Sequence, residues 1–174
     1  MIGCLVFLAL SVFFGSATAE VNKNWSNASD FHPQAHSHPD TLKKHRVLTS
    51  LTFQNNDAEE AMNFYVNLFD NAKIKRIHRW GADGPGKEGT IMQAEFELEG
   101  HRFLVSDSPP VHNWDFTPAV SIFIQCKSNE EIERITSRLS ENGVVAMPLN
   151  NYGFSQKFAW IIDQFGVSWQ LNLE

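Results

Sequence analysis

The sequence repeats one order of secondary-structure patterns, and this repeat restricts the fold more than any single motif does. An alternating strand pattern, RVLTSLTF, is followed by a helix pattern that begins at Asp57 and then by three strand patterns. The same order returns with AVSIFIQC and a helix pattern that begins at Ser128. Equivalent positions keep a constant offset, since Asp57 and Ser128 are 71 residues apart and so are Ser50 and Ser121. We therefore predict an α+β fold in which two βαβββ modules form one domain.

The helix boundaries are predicted from capping signals. Asp57 and Glu60 have the spacing of a capping box, in which a side-chain oxygen accepts a hydrogen bond from an amide of the first turn. Ser128 and Glu131 have the same spacing. Gly143 is expected to end the second helix, because glycine readily adopts the left-handed conformation found at many helix C-termini. The predicted domain is residues 46–174, with modules at about 46–108 and 118–174.

The first 45 residues are expected to lie outside this domain. Residues 1–19 combine an apolar run, CLVFLALSVFF, with the small-residue ending ATA, which is typical of a cleaved secretory signal peptide. An uncleaved membrane anchor is the alternative, because no Lys or Arg precedes the run. Residues 20–45 are polar and lack periodicity, so they are predicted to be a disordered leader. The protein is therefore predicted to be exported, periplasmic or secreted, with no membrane segment after cleavage.

Charge and cysteine content narrow the classes of partner. The formal net charge is −6 and Lys and Arg do not form an extended cluster, so nucleic acid is not an expected partner. Only Cys126 follows the predicted signal peptide, so the domain must be stabilised by its core and not by an intrachain disulfide. A metal-collecting arm is an alternative role for the leader, although histidines without accompanying cysteine or carboxylate spacing are usually solvent-exposed bystanders. These histidines are His32, His36, His38 and His45.

The strand faces that a helix would not cover mix polar side chains with large apolar ones, including Ile91 and Phe123. These faces can be assigned because side chains alternate along a strand. A solvent-facing sheet is the ordinary explanation, but the mixture favours a half-enclosed cavity with apolar walls and a few polar groups. Aromatic side chains in two polar loops, VHNWDF and NYGFSQKF, are predicted at its rim. The polar members of these faces are Ser50, Thr52, Gln93, Glu95, Ser121, Gln125, Ser168, Gln170 and Asn172.

Four stretches of the domain together resemble one known family. They are DAEEAMNFYVNLF, GPGKEGTIMQAEFELEGHRFLVSD, FTPAVSIFIQC and DQFGVSWQL, which come in the expected order within residues 46–173. The chain resembles the PhnB-like branch of the vicinal-oxygen-chelate superfamily, which includes glyoxalase I, extradiol dioxygenases and bleomycin-resistance proteins. The resemblance implies paired βαβββ modules whose sheets curl around a pocket, usually in a homodimer.

The resemblance also implies where the ligands of a metal would lie in metal-dependent members. Carried over residue by residue, the four positions are Ser50, Gln93, Ser121 and Gln170. Two hydroxyls and two amides offer no charge to a divalent metal, which prefers imidazole, thiolate or carboxylate ligands. We therefore predict no strong metal site. A divalent metal held weakly by Gln93, Glu95 and Gln170 is the alternative.

These observations together predict a protein that binds a small, partly apolar molecule without a strong metal site. The alternative is a metal-dependent lyase or dioxygenase-like enzyme of the same superfamily. Glu95 is the candidate catalytic base, although a hydrogen-bonded structural carboxylate is favoured. The methyltransferase label that relatives often carry is disfavoured, because GPGKEG matches a G-x-G-x-x-G loop but leads into a strand pattern, not a helix. The predicted ligand-binding residues are Ser50, Gln93, Ser121, Phe123, Trp160 and Gln170.

Overall fold

The computed structural model describes residues 47–109 and 111–174. The predicted signal peptide and histidine-containing leader lie outside the described residues, so both stay predictions. In chain order the described elements are β1 (Thr49–Phe53), α1 (Ala58–Val66), β2 (Ala72–Arg79), β3 (Ile91–Leu98), β4 (His101–Asp107), β5 (Ile122–Gln125), α2 (Asn129–Ser140), β6 (Val144–Asn150), β7 (Lys157–Ile162) and β8 (Ser168–Leu173).

The described strands form two four-stranded sheets. Sheet A has the order β1-β4-β3-β2, and sheet B has the order β5-β8-β7-β6. In each sheet the first strand runs parallel to its neighbour, and the remaining neighbours are antiparallel. The first helical residues, Ala58 and Asn129, again lie 71 positions apart. The predicted α+β fold of paired βαβββ modules is confirmed, and because neither sheet closes on itself, β1 and β5 are edge strands.

Each helix is held on its own sheet by an apolar stripe. In α2, Ile132, Ile135 and Leu139 are fully buried, while Glu133 and Arg134 between them are exposed. This three-to-four-residue spacing places the apolar side chains on one side of the helix. Neither of the two described helices is long and apolar enough to cross a membrane.

The two modules share one hydrophobic core, which lies between their helix-bearing faces. The ring of Tyr65 in α1 is 6.2 Å from that of Phe96 in sheet A and 5.0 Å from that of Trp169 in sheet B. Phe69 stacks on Trp169 at 6.2 Å, and Arg138 of α2 lies 5.6 Å above the ring of Phe64. The helix-bearing faces of the two sheets therefore meet, and the opposite face of each sheet points away from the shared core.

The capping prediction is confirmed for one helix and wrong for the other. Ser128 Oγ accepts a hydrogen bond from the amide of Glu131 at 3.2 Å, as a capping box requires. Asp57, by contrast, makes no side-chain cap. Asp107, at the end of β4, accepts from the amide of Ala58 at 3.0 Å instead. Asp107, from the distant strand β4, therefore accepts the hydrogen bond at the start of α1 that was expected for Asp57.

Two turns show where the backbone needs unusual residues. Glu99 and Gly100, with φ of 46° and 85°, form the hairpin turn between β3 and β4 that the sequence predicts. After α2 the left-handed residue is Asn142, with φ of 56°, so the prediction for Gly143 is wrong in detail. Gly143 is required for a different reason, since a Cβ atom there would lie 2.6 Å from the carbonyl oxygen of Ile162.

Candidate functional site

A cavity of about 760 Å³ lies between the edge strands β1 and β5. Ser50, Thr52 and Ser121 line it beside Phe103 and Phe123. The connection between the two modules supplies a further wall, from Trp114 to Thr117. A concave site with mostly apolar walls and a few polar groups is the usual form of a small-molecule site.

The backbone of both edge strands also faces this cavity. The carbonyl of Phe53 accepts from the amide of Ser108 at 2.7 Å, and the amide of Cys126 donates to the carbonyl of Asn172 at 2.7 Å. Both bonds point inward, from the edge strand towards its own sheet. Because the direction of backbone groups alternates along a strand, the amides and carbonyls of Thr52 and Gln125 point the other way, towards the cavity. The cavity therefore offers backbone donors and acceptors as well as side chains.

Two contacts between distant segments close the ends of the cavity. At one end, Lys127 Nζ donates to Glu99 Oε2 at 2.9 Å. At the other end, the side-chain amide of Gln54 donates to the carbonyl of Trp114 in the connection between the modules. Neither pair could be predicted from local patterns, because the partners are 28 and 60 positions apart.

The predicted ligand-binding residues divide between this cavity and the outward sheet faces. Ser50, Ser121 and Phe123 line the cavity, and 55% of the surface of Phe123 is exposed. Gln93 is exposed on β3, where it pairs in register with His78 and not with any cavity residue. Trp160 and Gln170 lie directly opposite one another on β7 and β8, next to the cavity but outside its lining.

Four polar side chains of sheet B form one hydrogen-bonded cluster beside the cavity. The indole of Trp160 donates to Ser168 Oγ at 2.8 Å, and Ser168 Oγ lies 2.7 Å from Ser121 Oγ. Gln170 Nε2 donates to Ser121 Oγ at 3.3 Å. Strand parity predicted Ser121, Ser168 and Gln170 on this face, and Trp160 was predicted from its aromatic character. Ser168 joins the indole of Trp160 to Ser121.

Glu95 is held in a buried ion pair. Its side chain is 1% exposed, it pairs with Arg102, and Arg76 Nε lies 3.2 Å from its second carboxylate oxygen. Guanidinium groups thus pair with both oxygens of this buried carboxylate. The arrangement suits a structural role for Glu95 better than that of a catalytic base, which has to exchange protons with a substrate.

The positions implied for a metal do not fit a divalent ion. Ser50 and Gln93 lie on strands of sheet A that are separated by β4, whereas Gln170 lies on β8 of sheet B and Ser121 directly precedes β5 of that sheet. Their donors are neutral hydroxyls and amides, which bind divalent transition metals poorly. Within residues 47–109 and 111–174, no group of three or more His, Cys, Asp or Glu side chains is placed to hold a metal ion.

Neither the Cys126 thiol nor the glycine-rich stretch 84–89 has the properties of a reactive or phosphate-binding group. Burial raises the pKa of the Cys126 thiol to about 12, so little of it is present as the nucleophilic thiolate at neutral pH. The glycine-rich stretch 84–89 forms the loop before β3, and Gly84 and Gly86 pack against Trp80. This loop leads into a strand, so it lacks the helix N-terminus at which such loops bind a phosphate.

Comparison with known proteins agrees with this architecture. A family model described as 3-demethylubiquinone-9 3-methyltransferase matches residues 45–172. The PhnB protein of Bacillus cereus, which carries the same methyltransferase description, is 47% identical, with a TM-score of 0.72 over 74% of this chain and 99% of its own. Protein PA1353 from Pseudomonas aeruginosa is 27% identical, with a TM-score of 0.65 over 74% of this chain and 96% of its own.

A more distant structure shares the fold alone. It is the fosfomycin resistance protein FosX from Listeria monocytogenes, solved as a mutant with Mn(II) and 1S,2S-dihydroxypropylphosphonic acid. It is 12% identical, with a TM-score of 0.51 over 72% of this chain and 88% of its own.

The paired modules and their topology define a vicinal-oxygen-chelate protein of the glyoxalase/bleomycin-resistance/dioxygenase type. Within that class the chain belongs to the PhnB-like family, whose model carries the 3-demethylubiquinone-9 3-methyltransferase description. The resemblance stated from the sequence is thereby confirmed.

Proposed function

We propose that this protein binds a small, partly apolar molecule in the cavity between β1 and β5, without a strong metal site. The observation that carries the proposal is the cavity itself, about 760 Å³ in volume and bounded by two edge strands and an aromatic loop. Its lining combines aromatic walls with the hydroxyls of Ser50, Thr52 and Ser121. Such a surface removes apolar area from water and orients the ligand through a few hydrogen bonds.

The first test is a binding titration followed by tryptophan fluorescence. Trp114 lines the cavity and is 46% exposed, so a ligand that enters changes its surroundings. A saturable change with neutral aromatic compounds is expected, and replacement of Trp114 by Phe should remove most of that change. A response that survives the replacement unaltered would place binding elsewhere.

A metal-dependent lyase or dioxygenase-like reaction is the competing function, since a protein of the same fold was solved with Mn(II). The donor set favours metal-independent binding. Elemental analysis of the untagged protein, after dialysis against zinc, nickel, manganese and iron in turn, decides between the two. Stoichiometric metal that is lost when Gln170 is replaced by Ala would contradict our proposal.

We further propose that the protein is a homodimer. The edge strand β6 of sheet B lies outside the cavity lining and carries exposed apolar side chains, Val144 and Val145, at 64% and 44% exposure. A second copy that packs against these side chains would remove them from water. Light scattering with size-exclusion chromatography should give twice the chain mass. A monomeric mass at every concentration would exclude the dimer.

Export remains a further proposal, supported by the sequence pattern of residues 1–19. Intact-mass analysis of the protein recovered from its host should show a chain that begins at Glu20. A chain that retains the apolar run would support an uncleaved anchor instead.

A further inference from the structure

The hydrogen bonds that join Trp160, Ser168 and Ser121 have a fixed order of donors and acceptors, in which Trp160 is the first donor. An indole N–H is a donor only, so Ser168 Oγ must accept the bond from Trp160 at 2.8 Å. Ser168 belongs to the cavity lining, but at 2% exposure its own hydroxyl proton has no access to solvent. That proton needs an acceptor within the protein.

Ser121 supplies this acceptor. Among the described residues, Ser168 Oγ has two hydrogen-bond partners, the indole of Trp160 and the hydroxyl of Ser121 at 2.7 Å. If Ser121 donated to Ser168, the buried Ser168 proton would be left without a partner, at the full cost of its desolvation. Ser168 therefore donates to Ser121.

Ser121 is thereby left with only its own proton to offer. A serine hydroxyl has two acceptor lone pairs and one donor proton. One lone pair receives the Ser168 proton and the other receives the amide of Gln170 at 3.3 Å. Ser121 is half-buried and lines the cavity, so its remaining proton is available to a ligand there.

We propose that the Trp160–Ser168–Ser121 chain of hydrogen bonds fixes Ser121 as a donor, and that the cavity consequently selects neutral carbonyl compounds. This inference rests on the proposed function, because it names the chemistry of the ligand for the same cavity. Phe123 lines the cavity two positions from Ser121 and offers an apolar surface to the group attached to the carbonyl.

The charge of the lining separates a neutral carbonyl from a carboxylate. Glu99, Asp115 and Glu131 line the cavity with Lys127 as their counter-charge, which leaves a formal excess of two negative charges. Lys127 is already paired with Glu99 at 2.9 Å. An anionic ligand would enter a negative field, whereas a ketone, ester or amide presents the same acceptor oxygen without the repulsion.

The test compares probes that share one shape. Acetophenone carries a carbonyl, α-methylstyrene replaces its oxygen by a methylene group, and benzoate carries an anion. Binding constants from protein-detected NMR titration of the full chain should favour acetophenone over α-methylstyrene by about five- to tenfold, the effect of one hydrogen bond. Benzoate should bind more weakly than acetophenone, and tighter binding of benzoate would overturn the preference for a neutral ligand.

Three variants test the direction of the chain of hydrogen bonds. Ser121→Ala should bind acetophenone and α-methylstyrene equally. Trp160→Phe should keep the ratio of their binding constants, because the buried Ser168 proton still has Ser121 as its acceptor. Ser168→Ala opens one lone pair of Ser121, so it should raise the affinity for indole, whose N–H can only donate, relative to that for acetophenone. Ser140→Ala is the matched control, because that hydroxyl lies on α2 and bonds to the carbonyl of Thr136; its ratio should match the wild type.

The outcomes separate this inference from the proposed function. If the wild type binds the ketone and the alkene equally, the donor role of Ser121 is overturned while the cavity remains a binding site. If Ser168→Ala leaves the ratio of indole to acetophenone binding at the wild-type value, Ser168 does not occupy a lone pair of Ser121, and the proposal fails. If neither neutral probe binds at millimolar concentration, the inference and the proposed function both fail.

Discussion

Replacement of Tyr65 by Phe tests whether the two modules are joined through a buried carboxylate. Asp163, 4% exposed, accepts from the Tyr65 hydroxyl and the Trp169 indole at 2.8 Å each, and from the amides of Phe165 and Val167 at 2.9 and 3.0 Å. Burial raises the pKa of Tyr65 well above its usual value, so the phenol stays neutral and donates. The Tyr65→Phe variant removes one hydrogen-bond donor to the Asp163 carboxyl group. The phenylalanine ring adds no polar atom that would be buried without a partner.

We expect this change to lower the free energy of unfolding by about 1.5–3 kcal/mol, the range for a hydrogen bond to a charged group. Urea unfolding followed by fluorescence measures the loss, and an unchanged m-value shows that the folded and unfolded states keep their compactness. Tyr152→Phe is the matched control, because its hydroxyl donates to the carbonyl of Pro148 in a half-exposed loop. If both variants stay within about 0.5 kcal/mol of the wild type, as most surface substitutions do, the carboxylate does not join the modules.

Three further predictions address single groups. Asp107→Asn should lower the free energy of unfolding by about 1–3 kcal/mol. The buried Asp107 carboxylate accepts hydrogen bonds from two backbone amides, whereas the asparagine side chain has only one acceptor oxygen. Thermal unfolding that matches the wild type would refute this prediction. Cys126 should resist iodoacetamide at pH 8 in the native protein and react fully in guanidinium, as peptide mass mapping can show, since burial raises its pKa to about 12. The Arg79 hydrogen bond lowers the pKa of Glu59 in the folded protein. The stability that this pair contributes is therefore fully present above the pKa that Glu59 has in the unfolded chain. It is lost as the pH falls through the lower pKa that Glu59 has in the folded protein. At 43% exposure of both side chains we expect Glu59→Gln to cost at most about 1 kcal/mol at pH 7 and less at pH 3, and a cost that grows on acidification would contradict the sign.

The sequence predicted what depends on local periodicity. Ser128 and Glu131 lie within one turn of a helix, so their capping contact follows from their spacing alone. The two-residue turn at Glu99-Gly100 and the repeated order of elements are equally local. Strand parity also predicted Ser121, Ser168 and Gln170 on one face, and the structure joins their side chains by hydrogen bonds.

What the sequence could not predict depends on contacts between distant segments. Asp57 has the spacing of a cap, but Asp107 reaches the start of α1 from another strand, 49 positions away. Gln93 and Gln170 occupy corresponding positions in the alternation of their own strands. The modules nevertheless meet through their helix-bearing faces, so the two amides lie on separate sheets. Periodicity fixes which face a side chain occupies and gives no information on how two sheets are oriented.

The central claim is that the ligand site lies between β1 and β5, and protein-detected NMR with acetophenone tests it most directly. Chemical-shift changes should concentrate at the residues of β1 and β5 and at the indole of Trp114, with saturation at one ligand per chain. Saturable changes centred on Gln93 and its neighbours in β3, with β1 and β5 unaffected, would contradict it and move the site to the outward face of sheet A.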